Sequence, residues 1–131
     1  MMYEKITHAI KIEVTTDFLP DQSRPDEDHY VWAYHIRIEN QGDKIVQLIS
    51  RYWKITDSTG QHHEVEGEGV IGQQPTLAPG ESFEYTSGTP LPTPGGIMTG
   101  TYKMRDIHGE SFTVDIPTFS LDSPYQSTVI H

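Results

Sequence analysis

Residues 65 to 81 read VEGEGVIGQQPTLAPGE, and Gly67, Gly69 and Gly72 within them stand in the spacing G-x-G-x-x-G. In a dinucleotide-binding fold that spacing follows a strand and opens a helix, whose N-terminal amides and dipole hold a pyrophosphate. How this stretch is read therefore decides between an α/β fold and an all-β one. No helix can follow here. Pro75 and Pro79 interrupt the next turns, SFEYTS from Ser82 has the period of a strand, and Glu66 and Glu68 bring negative charge to where a phosphate would sit. The three glycines instead read as backbone relief in a bulged or crossing connection between two sheets. An anion or nucleotide nest at Gly67, Gly69 and Gly72 is the lesser alternative.

Outward from this stretch the dominant period is two. Ile10, Ile12 and Val14 alternate with Lys11, Glu13 and Thr15, and Tyr30, Trp32, Tyr34, Ile36 and Ile38 alternate with Val31, Ala33, His35, Arg37 and Glu39. These are half-buried strands. In KIVQLISRYWKIT, from Lys44, the residues Ile49, Trp53 and Ile55 share one face while Val46 and Leu48 have the opposite phase, which predicts a bulge near Leu48 and Ile49. Asp57-Ser58-Thr59-Gly60 reads as a tight turn into HHEVE, and His108-Gly109 as the turn joining the last two strands. About seven short strands with frequent turns predict an all-β fold, a fibronectin type III or immunoglobulin-like antiparallel β-sandwich. Trp53 on the third strand and Gly100-Thr101-Tyr102 on a late one suit the core Trp and tyrosine corner of such sandwiches.

A chain of 131 residues fits a single domain over 1–131, with a core at about 8–121 and a loose tail at about 122–131. Its 19 acidic against 9 basic side chains give a formal charge of -10, which argues against nucleic acid as a partner, since phosphate neutralisation needs a Lys/Arg surface. Cysteine is absent, so disulfides, Cys-type zinc sites and thiol nucleophiles drop out together. With no secretion signal and no stretch of membrane-spanning length, the expected compartment is the cytoplasm, away from any membrane.

In an extended segment His62, Glu64, Glu66 and Glu68 point to one face with neighbours about 6.5–7 Å apart, so His62, Glu64 and Glu66 form a candidate divalent-metal site. The competing reading is a solvated sheet face. The loop from Asp21 to Asp28 lacks the spacing of a calcium loop and reads as a solvated connection. Ser87 has no nucleophile-elbow sequence, and His35 reads as a surface or hydrogen-bonded imidazole. Arg51 shares its phase with Ile49 and Trp53 and needs a partner, for which an ion pair is the expectation and anion or partner recognition the alternative.

The runs YVWAYHIRIENQG, SRYWKITDSTG, VEGEGVIGQQPTLAPGESFEYTSGTPLPTPGG, MTGTYKM and IPTFSL resemble the ApaG family of small bacterial proteins, in order and over nearly the whole chain. The resemblance implies a fibronectin type III-like sandwich. It also implies kinship with a domain reused in some eukaryotic F-box proteins and a polymerase-delta-interacting protein, where it looks like a protein-binding module. The bacterial family is associated genetically with cobalt resistance and magnesium efflux, and its glycine motif has prompted nucleotide or pyrophosphate proposals, which map here to Gly67, Gly69 and Gly72.

The expected function is therefore that of a non-enzymatic module, without cofactor, that binds a protein or peptide and is itself a monomer or weak homo-oligomer. The segments Gly67 to Gln74 and Ser87 to Gly96 are the expected contact surface, with Val70, Ile71 and Leu91 as apolar anchors and Glu68 and Arg51 as polar contacts. The alternative is a small-ligand protein or enzyme acting on pyrophosphate, nucleotides or divalent cations.

Overall fold

A computed structural model of the chain describes residues 1–126. In chain order the strands are β1 (Met2–Thr7), β2 (Ile10–Phe18), β3 (Tyr30–Asn40), β4 (Val46–Asp57), β5 (His62–Glu68), β6 (Thr76–Leu77), β7 (Ser82–Leu91), β8 (Gly96–Asp106) and β9 (Ser111–Leu121). One sheet has the order β1-β2-β3-β7; the other has β5-β4-β8-β9, with the short β6 pairing β4 as well. Every pairing is antiparallel. The result is an all-β sandwich of the fibronectin type III or immunoglobulin-like kind. Among the described residues the only helical segments are 3-10 turns at Pro20–Gln22 and Pro25–Glu27, in the connection between β2 and β3, and no helix is long and apolar enough to cross a membrane.

Alternation builds the core. Along β3 every second residue from Tyr30 to Asn40 is buried, as the pattern of the sequence predicts. Trp32, Ile36 and Ile38 meet Leu48, Tyr102, Val114 and Phe119 from the facing sheet in one cluster. Both tryptophans are buried. The phase change in β4 is a bulge: its register on β8 shifts between Leu48 and Ser50. The turns at Asp57 and Asp106 form as expected and share a device. In each, the aspartate Oδ1 accepts from backbone N–H groups two and four residues ahead, and a glycine at positive φ, Gly60 or Gly109, closes the loop.

Three features depart from the sequence reading. β1 is an extra strand, joined to β2 by His8-Ala9, both at positive φ (50° and 62°), where a two-residue hairpin ordinarily carries Asn or Gly. β6 is the second addition. Tyr102 forms no tyrosine corner, because its hydroxyl meets that of Tyr85 across the sandwich at 2.5 Å instead of an upstream backbone group. At the chain's end, Trp32 Nε1 donates to the Asp122 carbonyl, Ser123 Oγ donates to the Pro94 carbonyl, and the Tyr125 ring packs on Phe18 and Tyr30. The tail expected from 122 thus begins against the body, and 127–131 lie outside the described residues.

The two long sides of the sandwich differ. At one, β1 lies against β9, tied by Tyr3 Oη to Ser120 Oγ (3.1 Å), Lys5 to Asp115 (3.3 Å) and the Asp115 N–H to Thr7 Oγ1 (3.2 Å). At the other, β5 and β7 each pair on one edge only among the described residues, leaving a seam between the two sheets.

Candidate functional site

The glycine stretch is an excursion in an edge strand. β5 and β6 run along the same edge of β4, with Ser50 opposite Glu68 and Gln47 opposite Thr76, so the chain leaves the edge after Glu68 and rejoins it opposite the bulge. Within the excursion Val70 and Gln73 exchange backbone hydrogen bonds of 2.8 and 2.9 Å around Ile71 and Gly72, both at positive φ. That pattern is a type I′ turn. The bulged reading of the glycines thus holds within one sheet, and the crossing between sheets comes later, at Pro79-Gly80, where Glu81 N–H bonds to the Ala78 carbonyl.

Each glycine has its own reason. At Gly67 a Cβ would lie 2.7 Å from Nη1 of Arg51, whose guanidinium covers it. Gly69 has φ +65° and its Cβ would strike the Gln73 carbonyl, while Gly72 supplies the left-handed second position of the turn. The amides of Gly69, Val70 and Gln73 donate to the carbonyls of Ile49, Gln73 and Val70. They are committed within the protein, and no helix follows. Those three amides are thus not free to receive a pyrophosphate at Gly67, Gly69 and Gly72.

Two expected anchors change role. Val70 and Leu91 are core residues, 0% and 3% exposed, because the turn tucks Val70 inward and Leu91 continues the inward face of β7. Ile71, at the tip, is 54% exposed. A β-branched residue at φ 43° is strained, since Cβ crowds the backbone there. Glu68 lies on the exposed face of β5. Arg51 has no carboxylate within ion-pair distance among the described residues; its Nη1 donates instead to the carbonyls of Gly69 (2.9 Å) and Glu68 (3.3 Å).

The pairing of β4 with β5 sorts the remaining candidates. Trp53 is opposite Val65, Arg51 opposite Gly67 and Ile55 opposite His63, so these share the inward side of the sheet, whereas Glu64 and Glu66 face outward with Lys54 and Tyr52. His62, Glu64 and Glu66 share a face as expected but do not converge: among the described residues no three His, Cys, Asp or Glu side chains are placed to hold a metal ion. The carboxylates act on a neighbour instead. Burial, then the charge of Glu64, push the Tyr52 phenol above its ordinary range.

The seam itself is a cavity of about 360 Å³ lined by Tyr34, Arg51, Trp53, Ile55, His63, Val65, Ser87, Gly88, Thr89, Pro90 and Met98. Among the described residues no carboxylate lines it, in a chain with 19 acidic residues. Trp53 is 3% exposed, and its Nε1 is the one buried side-chain polar atom among the described residues without a hydrogen-bond partner. A Cβ on Gly100 of β8 would lie 2.8 Å from Cε3 of Trp53, so the benzo side of the indole covers β8, and the ring packs edge-on against Tyr34 and Phe119 while Trp53 lines the seam. Beside it, the Tyr34 phenol is raised, first by burial, with Ser87 and Arg51 acting against the rise. Sequence reasoning named Arg51 but missed Trp53 and Val65 as seam residues, because nothing in a single strand's pattern says which edge stays unpaired.

On the outer face of the first sheet, His35 Nε2 lies 2.9 Å from Asp17 Oδ2 and His35 Nδ1 2.7 Å from Thr86 Oγ1. The order Asp-His-Thr is that of a nucleophile triad, but it spans three strands of an open surface, with the His35 and Asp17 side chains 43% and 69% exposed. It is a cross-strand polar row.

Comparison with known proteins agrees with this fold. The ApaG domain family matches residues 20–106. The chain is 59% identical to Protein ApaG of Parvibaculum lavamentivorans over 130 residues, covering 99% of this chain and 100% of that one. It is 56% identical to Protein ApaG of Rhodospirillum centenum over 124 residues, 95% of each chain. A Bordetella pertussis crystal structure carrying the name ApaA superposes with a TM-score of 0.86 at 50% identity, covering 89% of this chain and 95% of that one.

Proposed function

The chain belongs to the ApaG family, and from that premise we propose that it is a non-enzymatic module that binds a protein or peptide at the seam between β5 and β7. The observation that carries this reading is a pair of strand edges, unpaired among the described residues, flanking a cavity lined by Trp53, whose buried indole N–H has no partner there. Edge strands offer backbone donors and acceptors to an added chain, and a pocket between them selects side chains. Val65, 40% exposed on β5, and Ile71 at the neighbouring turn supply apolar contact. Arg51 is the polar contact. Val70 and Leu91 support the surface from beneath, and Glu68 stands at its rim. On this reading, the family's association with cobalt resistance and magnesium efflux runs through a bound protein and not through an ion held by His62, Glu64 and Glu66.

The test is site-specific crosslinking. A photoreactive residue at position 65 and another at the exposed Thr118 of β9 are compared in the same cell extract. A discrete adduct from position 65, lost when Ile55→Asp blocks the seam in a variant that stays folded, supports the reading. Adducts equal at both positions, or indifferent to the block, contradict it.

A further inference from the structure

We infer that the seam takes a carboxylate, and that the source is the free carboxy-terminus of an extended partner chain ending in a small apolar residue; this rests on the peptide-binding reading above. Two independent observations point to it. Arg51 is partly buried and among the described residues meets only backbone carbonyls, in a protein where acidic side chains outnumber basic ones 19 to 9. A guanidinium carries five donors in a planar fork that suits a carboxylate, and leaving it without an anion in a recess is costly unless an anion arrives. The second observation is the Trp53 indole N–H, buried without an acceptor among the described residues, on a side chain that lines the same seam. Buried tryptophans ordinarily find a partner, so an orphan at a cavity wall marks where an acceptor belongs.

Arg51 and Trp53 are two residues apart on β4, about 6.5–7 Å along the strand, so a carboxylate at the Arg51 end leaves the carbonyl two residues before it, on the same side of an extended chain, beside Trp53. Ser87 adds a hydroxyl from β7, and Ile55, Val65 and Met98 provide an apolar recess for a small side chain. Charge is sorted to match. The outward face of β5 carries Glu64 and Glu66, whereas the seam has Arg51 and His63 and, among the described residues, no carboxylate. Capture of a chain terminus by such donors beside an unpaired strand edge is a known recognition mode.

The probes are N-acetyl tripeptides ending in valine, each prepared as the free acid and as the C-terminal amide, with 3-methylbutanoate as a free small carboxylate. The readout is the indole N–H and backbone amide NMR spectrum of the full chain. The free-acid peptide should move the Trp53 indole resonance and the amides of Val65 and Ser87, and should bind at least tenfold more tightly than its amide twin. Trp53→Phe, which keeps an aromatic ring, should weaken it several-fold. Equal binding of acid and amide at the seam would overturn the carboxylate while leaving the peptide-binding reading standing. Binding of 3-methylbutanoate as tight as the peptide acid would overturn the chain-terminal source. Shifts of the acid confined to other surfaces, or none, would overturn the inference as a whole, with the crosslinking result still deciding the reading beneath it.

Discussion

Trp32 and Trp53 are both buried, yet among the described residues only Trp32 has an acceptor for its indole N–H, the carbonyl of Asp122 at 2.8 Å. The two residues should therefore respond differently to the same change. Trp32→Phe loses ring volume and a hydrogen bond, whereas Trp53→Phe loses volume but also removes an unpaired buried donor, a burden of about 1–3 kcal/mol. Denaturant unfolding should show Trp32→Phe as clearly the more destabilising; the reverse order would mean that Trp53 is satisfied in solution. The glycines separate in the same way. Gly72→Ala should cost about 1–2 kcal/mol, the ordinary penalty of a left-handed conformation, and Gly69→Ala more, because its Cβ also meets the Gln73 carbonyl. Gly67→Ala should cost less than Gly69→Ala, because what it displaces is the far end of a flexible arginine. Equal losses at all three positions would contradict these assignments. The G-x-G-x-x-G spacing was legible at once, and its meaning came from what followed it. Pro75 and Pro79 exclude a helix, whereas the guanidinium over Gly67 depends on a residue of another strand.

At the scale of elements, the alternation in β2, β3, β8 and β9 made those strands legible, as did the phase break that became the bulge in β4. β1 was not, because its turn residues His8 and Ala9 are absent from the usual hairpin vocabulary. Ala9→Gly should stabilise the protein by up to about 1 kcal/mol by relieving a left-handed alanine, measured as a higher denaturation midpoint at unchanged slope. No gain would imply that the β1–β2 turn differs from the one described. The candidate site was partly legible. Arg51 could be named from its phase, but its expected ion pair is replaced by carbonyls of the glycine excursion. Val70 and Leu91 read as exposed because they sit among turn residues, and they are buried because the excursion and the last residues of β7 fold over the core. The seam was invisible for a different reason: alternation reports faces, not edges.

At the scale of the molecule, the two sheets are joined through Tyr85 and Tyr102, whose hydroxyls meet in the core. Burial is the main cause that raises both phenols well above the ordinary value of 10.0. Because the folded values lie above the unfolded ones, their contribution to stability is complete below about pH 10 and is lost as the pH rises toward the folded values. Alkaline unfolding should therefore begin above about pH 10, with these two phenols ionising only as the fold opens, and a Tyr85→Phe, Tyr102→Phe double variant should flatten the slope. Phenolate absorbance that develops fully before circular dichroism changes would count against this. The asymmetry between the closed β1–β9 side and the open β5–β7 side is the ground for proposing that binding takes place at one side of the sandwich. Amide hydrogen exchange of the protein alone and crosslinked to its captured partner tests that assignment most directly. Added protection along His62–Glu68 and Ser82–Leu91, with β1 and β9 unchanged, is the predicted result, and protection gained along β1 and β9 instead would contradict it.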